Sequence, residues 1–253
     1  MPRQWLLTQG NRDLRRHGIS TWTLPAWVVQ LPSGRHMNVC PSAGVCAKLC
    51  FARFGTYRIP SVRAAHLRNL MLTLDDQLPR FEELMTAELQ HRRYQGGSVR
   101  IHDAGDFHSR PYLETWLRIM RTAPGVSFYC YTKEVTLFQE CVETSPPANF
   151  AWCYSLGGRE DRYVDRATMR HADVFPDEES ITEAGYSSQT ACDLLCVQGP
   201  PHVGIPANNI PHLKKAQGRA SFGTLQETRD TRTRRPRPAP AAHADRDNIL
   251  AGH

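Results

Sequence analysis

The sequence predicts an α/β fold, a partial (βα) barrel of about six parallel strands with an N-terminal hairpin and a disordered C-terminal tail. Three observations predict it. Short β-rich runs alternate with helical periodicity from Ser98 to Asn209, a rhythm that produces a parallel sheet with crossover helices. Polar residues gather just after the runs: Asp103, Asp106 and His108; Lys133; Ser155; Asp177; Asn208 and Asn209. Parallel α/β proteins build their active face at those strand ends. A doubly wound open sheet is the alternative, but no Gly-x-Gly-x-x-Gly fingerprint follows a strand.

In chain order, Ile19 to Ala26 is β-rich. Trp27–Leu31 and His36–Val39 flank Pro32-Ser33-Gly34-Arg35, a hairpin signal. A cysteine stretch follows, then a loop over Phe51 to Ile59. Pro60 opens a helix, with Val62, Leu67, Leu70, Met71 and Leu74 as its apolar stripe. A second helix runs from about Asp75 to His91. The repeating part has strands at Ser98–His102, Val126–Thr132, Phe150–Ser155, Ala172–Phe175 and from His202 toward Asn209. Its helices are expected over Pro111–Thr122, Val135–Glu143, Arg162–Met169 and Ser188–Val197.

The chain has 253 residues and is 40% hydrophobic, enough for one barrel-like domain over 1–222. From 223 to 253 the composition shifts to Arg, Pro and polar residues, which cannot bury enough surface to fold. No apolar run is long enough for a membrane span, and the N-terminus lacks a signal-peptide core. A cytoplasmic location is expected, where the eight Cys act as ligands and core residues rather than disulfides. The net charge of +6 is compatible with an anionic partner without demanding nucleic acid.

Cys40, Cys46 and Cys50 stand within one Gly- and Pro-punctuated stretch. A helical turn places Cys46 and Cys50 on one face, and the Pro-Ser-Ala-Gly turn folds Cys40 back toward them. Iron–sulfur clusters and soft metals take thiolates, and three ligands leave one position of a four-ligand centre open. Buried free thiols are the plainer reading, weakened by three falling in so short a run. Cys192 and Cys196 offer a second metal pair or helix core; Cys130, Cys141 and Cys153 read as core. Arg53, Arg58, Arg63 and Arg68 offer an anion-binding patch or a solvated face.

Several long pieces resemble the gene-product-88 family of phages and related bacterial genomes. They are Thr21–Trp27, Asn38–Arg53, Val99–Phe107, Phe128–Glu134, Tyr154–Gly158 and Val203–Asn209. The chain also resembles radical S-adenosylmethionine enzymes, in which three Cys after the first strand of a partial barrel hold a [4Fe-4S] cluster. There the cofactor's methionine part takes the fourth iron. Cys40, Cys46, Cys50 and the aromatic Phe51 match that plan, although the spacing of five residues and then three is wider than the usual one. Gly105 and Asp106 stand where such enzymes meet the cofactor's amino group.

The resemblance implies an iron–sulfur enzyme using S-adenosylmethionine, a small-molecule or nucleotide-like substrate, and an electron donor such as flavodoxin or ferredoxin. Asp106, Lys133 and His102 are the catalytic candidates. Lys133 offers a charge for a carboxylate or phosphate. Ser155 with Gly157-Gly158 offers amides to an anion, and Asn208 and Asn209 offer hydrogen bonds to a base or ribose. The plainer readings are a core His102, a solvated Lys133 and ordinary turn chemistry. The alternative function is a metal-stabilised nucleic-acid-binding protein of phage or mobile-element origin, its basic tail serving as the arm. A metal-free barrel hydrolase is the third reading.

Overall fold

The structure, a computed structural model, describes residues 5–234. Helix α1 (Arg12–Arg16) precedes β1 (Ile19–Trp22), and β2 (Val28–Gln30) with β3 (His36–Asn38) forms an antiparallel hairpin. Helices α2 (Cys46–Leu49), α3 (Pro60–Leu72) and α4 (Leu78–Leu89) lead to β4 (Ser98–Ile101). Then follow α5 (Arg110–Thr122), β5 (Ser127–Thr132), α6 (Val135–Cys141), β6 (Phe150–Ser155) and β7 (His171–Phe175). The described chain ends with α7 (Glu178–Glu183), β8 (Ser187–Ser188), α8 (Leu195–Gln198), β9 (His202–Pro206), α9 (Pro211–Gln217) and α10 (Phe222–Arg234).

Seven strands form one sheet in the order β1-β4-β5-β6-β7-β9-β8, with every pairing parallel. This is the predicted parallel α/β architecture with its hairpin, plus the two-residue β8. The edge strands β1 and β8 are not paired with each other. Thr8 bridges Thr21 across the outer side of β1, so part of that edge is covered.

Period-two alternation gives the strands two different faces. Trp22, Ile101, Phe128, Cys130, Phe150 and Tyr154 point outward and pack with Phe81 and Met85 of α4, Trp116 and Met120 of α5, and Phe138 of α6. Trp22, Phe81 and Trp116 lie 5.1 to 6.2 Å apart between ring centroids, in tilted and edge-to-face pairs. Ile19, Tyr129, Cys153, Ala172 and Val203 point inward, where Cys196 and its neighbours in and before α8 fill the space between them.

Four expectations need correction. Arg162–Met169 is a single 3-10 turn, Asp161–Tyr163, followed by loop. Asp165 accepts from Ala167 N–H and the Thr168 hydroxyl, an Asx turn that competes with a helix. Ser188–Val197 is also not one helix: Ser188 and Thr190 are held to Glu178, and only Leu195–Gln198 is helical. Cys192 and Cys196 therefore do not share a helical face. Cys141 is half-buried rather than core, with Arg110 against its sulfur.

Fourth, the chain from 223 onward begins as helix α10, not as tail. Ser221 accepts from Thr224 N–H, and Asp173 accepts from Gly223 N–H, so both satisfy amides at the helix start. Residues 235–253, which carry the Arg235-Pro236-Arg237 run, lie outside the described residues. Among the described residues no helix is long and apolar enough to cross a membrane.

Candidate functional site

The C-terminal strand ends open onto a cavity of about 1840 Å³. Its wall runs from Thr21 on β1, through Tyr131 on β5 and Val174 on β7, to Ile205 on β9. Strands from nearly the whole sheet thus face one space, as curvature toward a barrel requires. Of the residues singled out in the cysteine stretch and after the strands, Cys40, Cys46, Cys50, Phe51, His102, Gly105, Asp106, Lys133, Ser155 and Asn208 line this cavity, whereas His108, Gly157, Gly158, Asp177 and the exposed Asn209 do not.

The cysteine stretch is a loop strapped down from several sides. Ala43 N–H donates to Cys40 C=O, closing the expected turn at 3.1 Å, and Cys46 opens α2 with Cys50 as its C-cap. Gly157 C=O accepts from both Gly44 and Cys46 N–H, each at 3.2 Å, and Ser42 C=O accepts from Arg159 N–H at 2.7 Å. Ser42 also donates to the Glu134 carboxylate, through its N–H at 2.9 Å and its hydroxyl at 2.8 Å. From α10, Gln226 Oε1 accepts from Val45 N–H at 2.8 Å. Gly44 has no room for a side chain, since a Cβ there would stand 2.0 Å from that same Gln226 oxygen.

The three thiols feel one another. Burial pushes the Cys40 thiol well up, and Asp106, Cys46 and Cys50 push it further. Burial first and Cys46 second push Cys50 up to about 12, against smaller opposing effects that include the Arg53 and Lys133 charges. Trp27 N–H donates to Cys40 Sγ at 3.4 Å. Among the described residues, no three His, Cys, Asp or Glu side chains are gathered so as to hold a metal ion.

The catalytic candidates turn out to be well occupied. Asp106 is buried, and burial raises its pKa. Its carboxylate accepts from Phe107 N–H, Thr132 hydroxyl and Lys133 N–H at 2.8 to 2.9 Å, which ties the loop after β4 to the end of β5. Lys133 Nζ donates to Ser155 C=O, Ser155 Oγ and Leu156 C=O within 3.0 Å, so its three protons are directed to the end of β6. His102 lies between Phe107 and Tyr112, with Nε2 at 2.8 Å from the Tyr112 hydroxyl. Burial lowers its pKa well below the usual value, so the ring is neutral.

Gly157 and Gly158 already hold an anion of the chain's own: both N–H groups donate to Asp161, at 2.7 and 2.8 Å. They are therefore not free for an anionic ligand. Gly105 has φ +86, and a Cβ there would meet Leu24 Cβ at 2.6 Å, so only glycine fits that close approach.

The family described as Gene product 88 matches residues 5–236. The chain belongs to the Gene product 88 family. Two curated relatives are similar to it. "Gene 88 protein" of Mycobacterium phage L5 is 36% identical over 115 residues, which are 43% of this chain and 48% of the relative. "Gene 88 protein" of Mycobacterium phage D29 is 31% identical over the same span and shares. The chain thus spans about half the length of these relatives. No solved structure matches.

The structure also brings in residues that the sequence did not suggest. Arg100 of β4 donates to both oxygens of Asp193, at 3.1 and 3.2 Å, and the Tyr129 hydroxyl donates to the same carboxylate. This ion pair is mostly buried, at 16% and 10% side-chain exposure, inside the curl of the sheet. Arg100 also lies 3.7 Å from Asp103, which accepts from the Tyr57 hydroxyl. The buried Tyr131 hydroxyl meets the Cys196 thiol and has no conventional hydrogen-bond partner. Glu134, Asp161 and Gln226 hold the cysteine loop and the loop after β6. An internal Glu after Thr-Lys or a Gln in a polar helix carries no sequence signal for that role, because its partner is remote in the chain.

Proposed function

We propose that this protein is an iron–sulfur enzyme of the radical S-adenosylmethionine type. Cys40, Cys46 and Cys50 would hold a [4Fe-4S] cluster and leave one iron open to S-adenosylmethionine. The observation that carries the reading is that three thiols from one strapped loop face a single large cavity at the C-terminal end of a parallel sheet. Isolated buried thiols need no such strapping. A cluster does, because its ligands must hold their positions as its charge changes.

The donor set fits. Thiolates are the usual ligands of such clusters, and coordination deprotonates them outright despite the raised pKa values. The Trp27 N–H aimed at Cys40 Sγ stabilises added negative charge on sulfur.

When bound, the cluster would supply one-electron reduction of the cofactor's sulfonium. The chain's own residues do the rest. Phe51 beside the last thiol and Gly105 line the space for the cofactor, Gly105 without a side chain to obstruct it. Lys133 sets a fixed positive charge near Cys50. Ser155 and Asn208 line the same cavity and offer polar contacts to a substrate. Asp106 acts as a positioning residue, since its oxygens already accept three hydrogen bonds.

The test is anaerobic reconstitution with iron and sulfide. The expected result is a brown protein absorbing near ~400 nm that bleaches with reductant, and 5′-deoxyadenosine formed when S-adenosylmethionine is added. Cys40→Ala, Cys46→Ala and Cys50→Ala would each abolish both. A colourless protein with bound zinc, or full colour in the Cys variants, would overturn the reading.

A further inference from the structure

The distribution of acids in this chain is uneven, and the fold concentrates the effect at the cavity mouth. No Asp or Glu occurs between Asp13 and Asp75, and none between Asp193 and Glu227. The first of these stretches carries Arg53, Arg58, Arg63 and Arg68; the second carries Lys214, Lys215 and Arg219. They are far apart in sequence yet meet in space. Helix α9 packs on α2, and Phe54 stands edge-on to His212 at 4.5 Å between ring centroids. Arg68, Lys214, Trp27 and Phe51 all line the cavity.

These cations are not neutralised by contact. Among the described residues, none of the seven just named forms an ion pair within 4.0 Å. Asp177 feels Lys214 and Arg219 only at a distance, after its own hydrogen bonds to Ser180. Of the acids that line the cavity, Asp193 is engaged by Arg100, Asp103 by Arg100 and Tyr57, and Asp106 by three hydrogen bonds, while Asp13 lies 3.9 Å from Arg16 and Asp76 accepts from Gln77. The rim therefore presents uncompensated positive charge.

Exposed flat and apolar surface is interleaved with that charge. Trp27 is 37% exposed, with the Arg53 guanidinium 4.9 Å from its ring centroid, and Val28 and Ile59 are 43% and 46% exposed. A cavity of about 1840 Å³ also exceeds the ~300–1,000 Å³ typical of small-molecule pockets. Cations tracking a backbone, beside aromatic platforms on which bases stack, are the features that recognise single-stranded nucleic acid. An acidic protein would match the charge but gives no use to the exposed Trp27 or the deep cavity. A duplex keeps its bases stacked away from both.

We propose that this acid-free rim binds a single strand of nucleic acid through its phosphates, with a nucleotide unit reaching the cavity. That the strand is then the substrate rests on the enzymatic reading above; that it binds does not.

The experiment uses the full chain and fluorescein-labelled single-stranded DNA and RNA oligonucleotides, followed by anisotropy over a range of salt. The expected result is salt-dependent binding that the variant R53E/R68E/K214E/K215E weakens by roughly tenfold or more, with a log–log salt slope shallower by about 0.7 for each phosphate that is no longer neutralised. All four positions are outside the core, and the milder K214E/K215E, checked by thermal melting, guards against misfolding. Duplex and poly-glutamate of equal charge are expected to compete poorly. Unchanged binding by the rim variants would overturn the proposal. So would equal competition by poly-glutamate, which would indicate an acidic protein surface. Loss of binding only on R235Q/R237Q would move the contact to the tail and overturn it as well. A Cys40→Ser chain is expected to bind the oligonucleotides as the parent does while lacking a cluster, so the rim and the cluster can fail separately.

Discussion

The two faces of the same sheet are built on opposite principles. Along β5, Phe128 and Cys130 point outward into an apolar layer, while Tyr129 and Tyr131 point inward to a buried ion pair and a cavity. The outer face holds Trp22, Phe81 and Trp116 at 0% exposure and gains stability from area removed from water and from close packing. The inner face buries Arg100 against Asp193, an arrangement that costs stability and fits a surface kept for a ligand. One residue of register separates the two uses.

Trp116→Ala tests the outer face and should have the largest effect. The cavity it leaves is expected to cost about 3–5 kcal/mol in denaturant unfolding, with little change at the cysteine loop. A loss below about 1 kcal/mol would mean that the outer layer is not the main source of stability.

Asp193→Ala tests the inner face. It leaves Arg100 buried without its carboxylate and should cost about 3 kcal/mol, whereas R100M/D193L should recover most of that loss. If the double variant were as unstable as the single one, the pair would be a net stabiliser, and the contrast between the faces would weaken.

Asp161 sharpens the comparison at the rim. Burial outweighs its hydrogen bonds to Gly157 and Gly158 and raises its pKa from 3.8 to about 6. The folded state therefore binds the proton more tightly than the unfolded state does. Its contribution is complete below pH 3.8 and is lost as pH rises through about 6. Asp161→Asn is expected to remove a fall of about 3 kcal/mol from the stability profile across that window. An unaltered slope in urea titrations at several pH values would contradict this.

Gln226→Ala should have the smallest effect, about 1 kcal/mol, from leaving Val45 N–H without its acceptor. Its readout at the site is a cluster that assembles more slowly or is lost sooner, measured by absorbance after anaerobic reconstitution. Parent-like cluster retention would show that α10 does not support the cysteine loop.

The outward face was legible because it follows simple periods. Apolar residues at helical spacing mark α4 and α5, and the β-rich runs at 98–102, 126–132 and 150–155 fall on β4, β5 and β6 within a residue or so. The cysteine loop and its strand-end neighbours were legible as residue types after strands, and Asp103, Asp106, Lys133, Ser155 and Asn208 reach the cavity while His108, Asp177 and Asn209 do not. The failures share a cause. At 162–169 a side chain's hydrogen bonds to its own neighbours displaced a helix. At 188–197, Asp193 is drawn to Arg100 from ninety-three residues away. Helix α10 is anchored through Asp173 and the cysteine loop, neither of which is near it in the chain.

By itself the sequence determined the alternation of strands and helices, the parallel sheet, and the three-thiol loop beyond the first strand, because each is encoded within a few neighbouring residues. Only the tertiary structure decided which polar groups are already engaged. Lys133, Asp106 and the Gly157-Gly158 amides are held by internal partners, and Tyr131 is left without a conventional one. The same holds for the acid-free rim, whose two halves join only when α9 packs on α2. The physical reason is range: periodicity and turn chemistry act over a few residues, whereas hydrogen-bond satisfaction and surface charge depend on groups that only folding brings together.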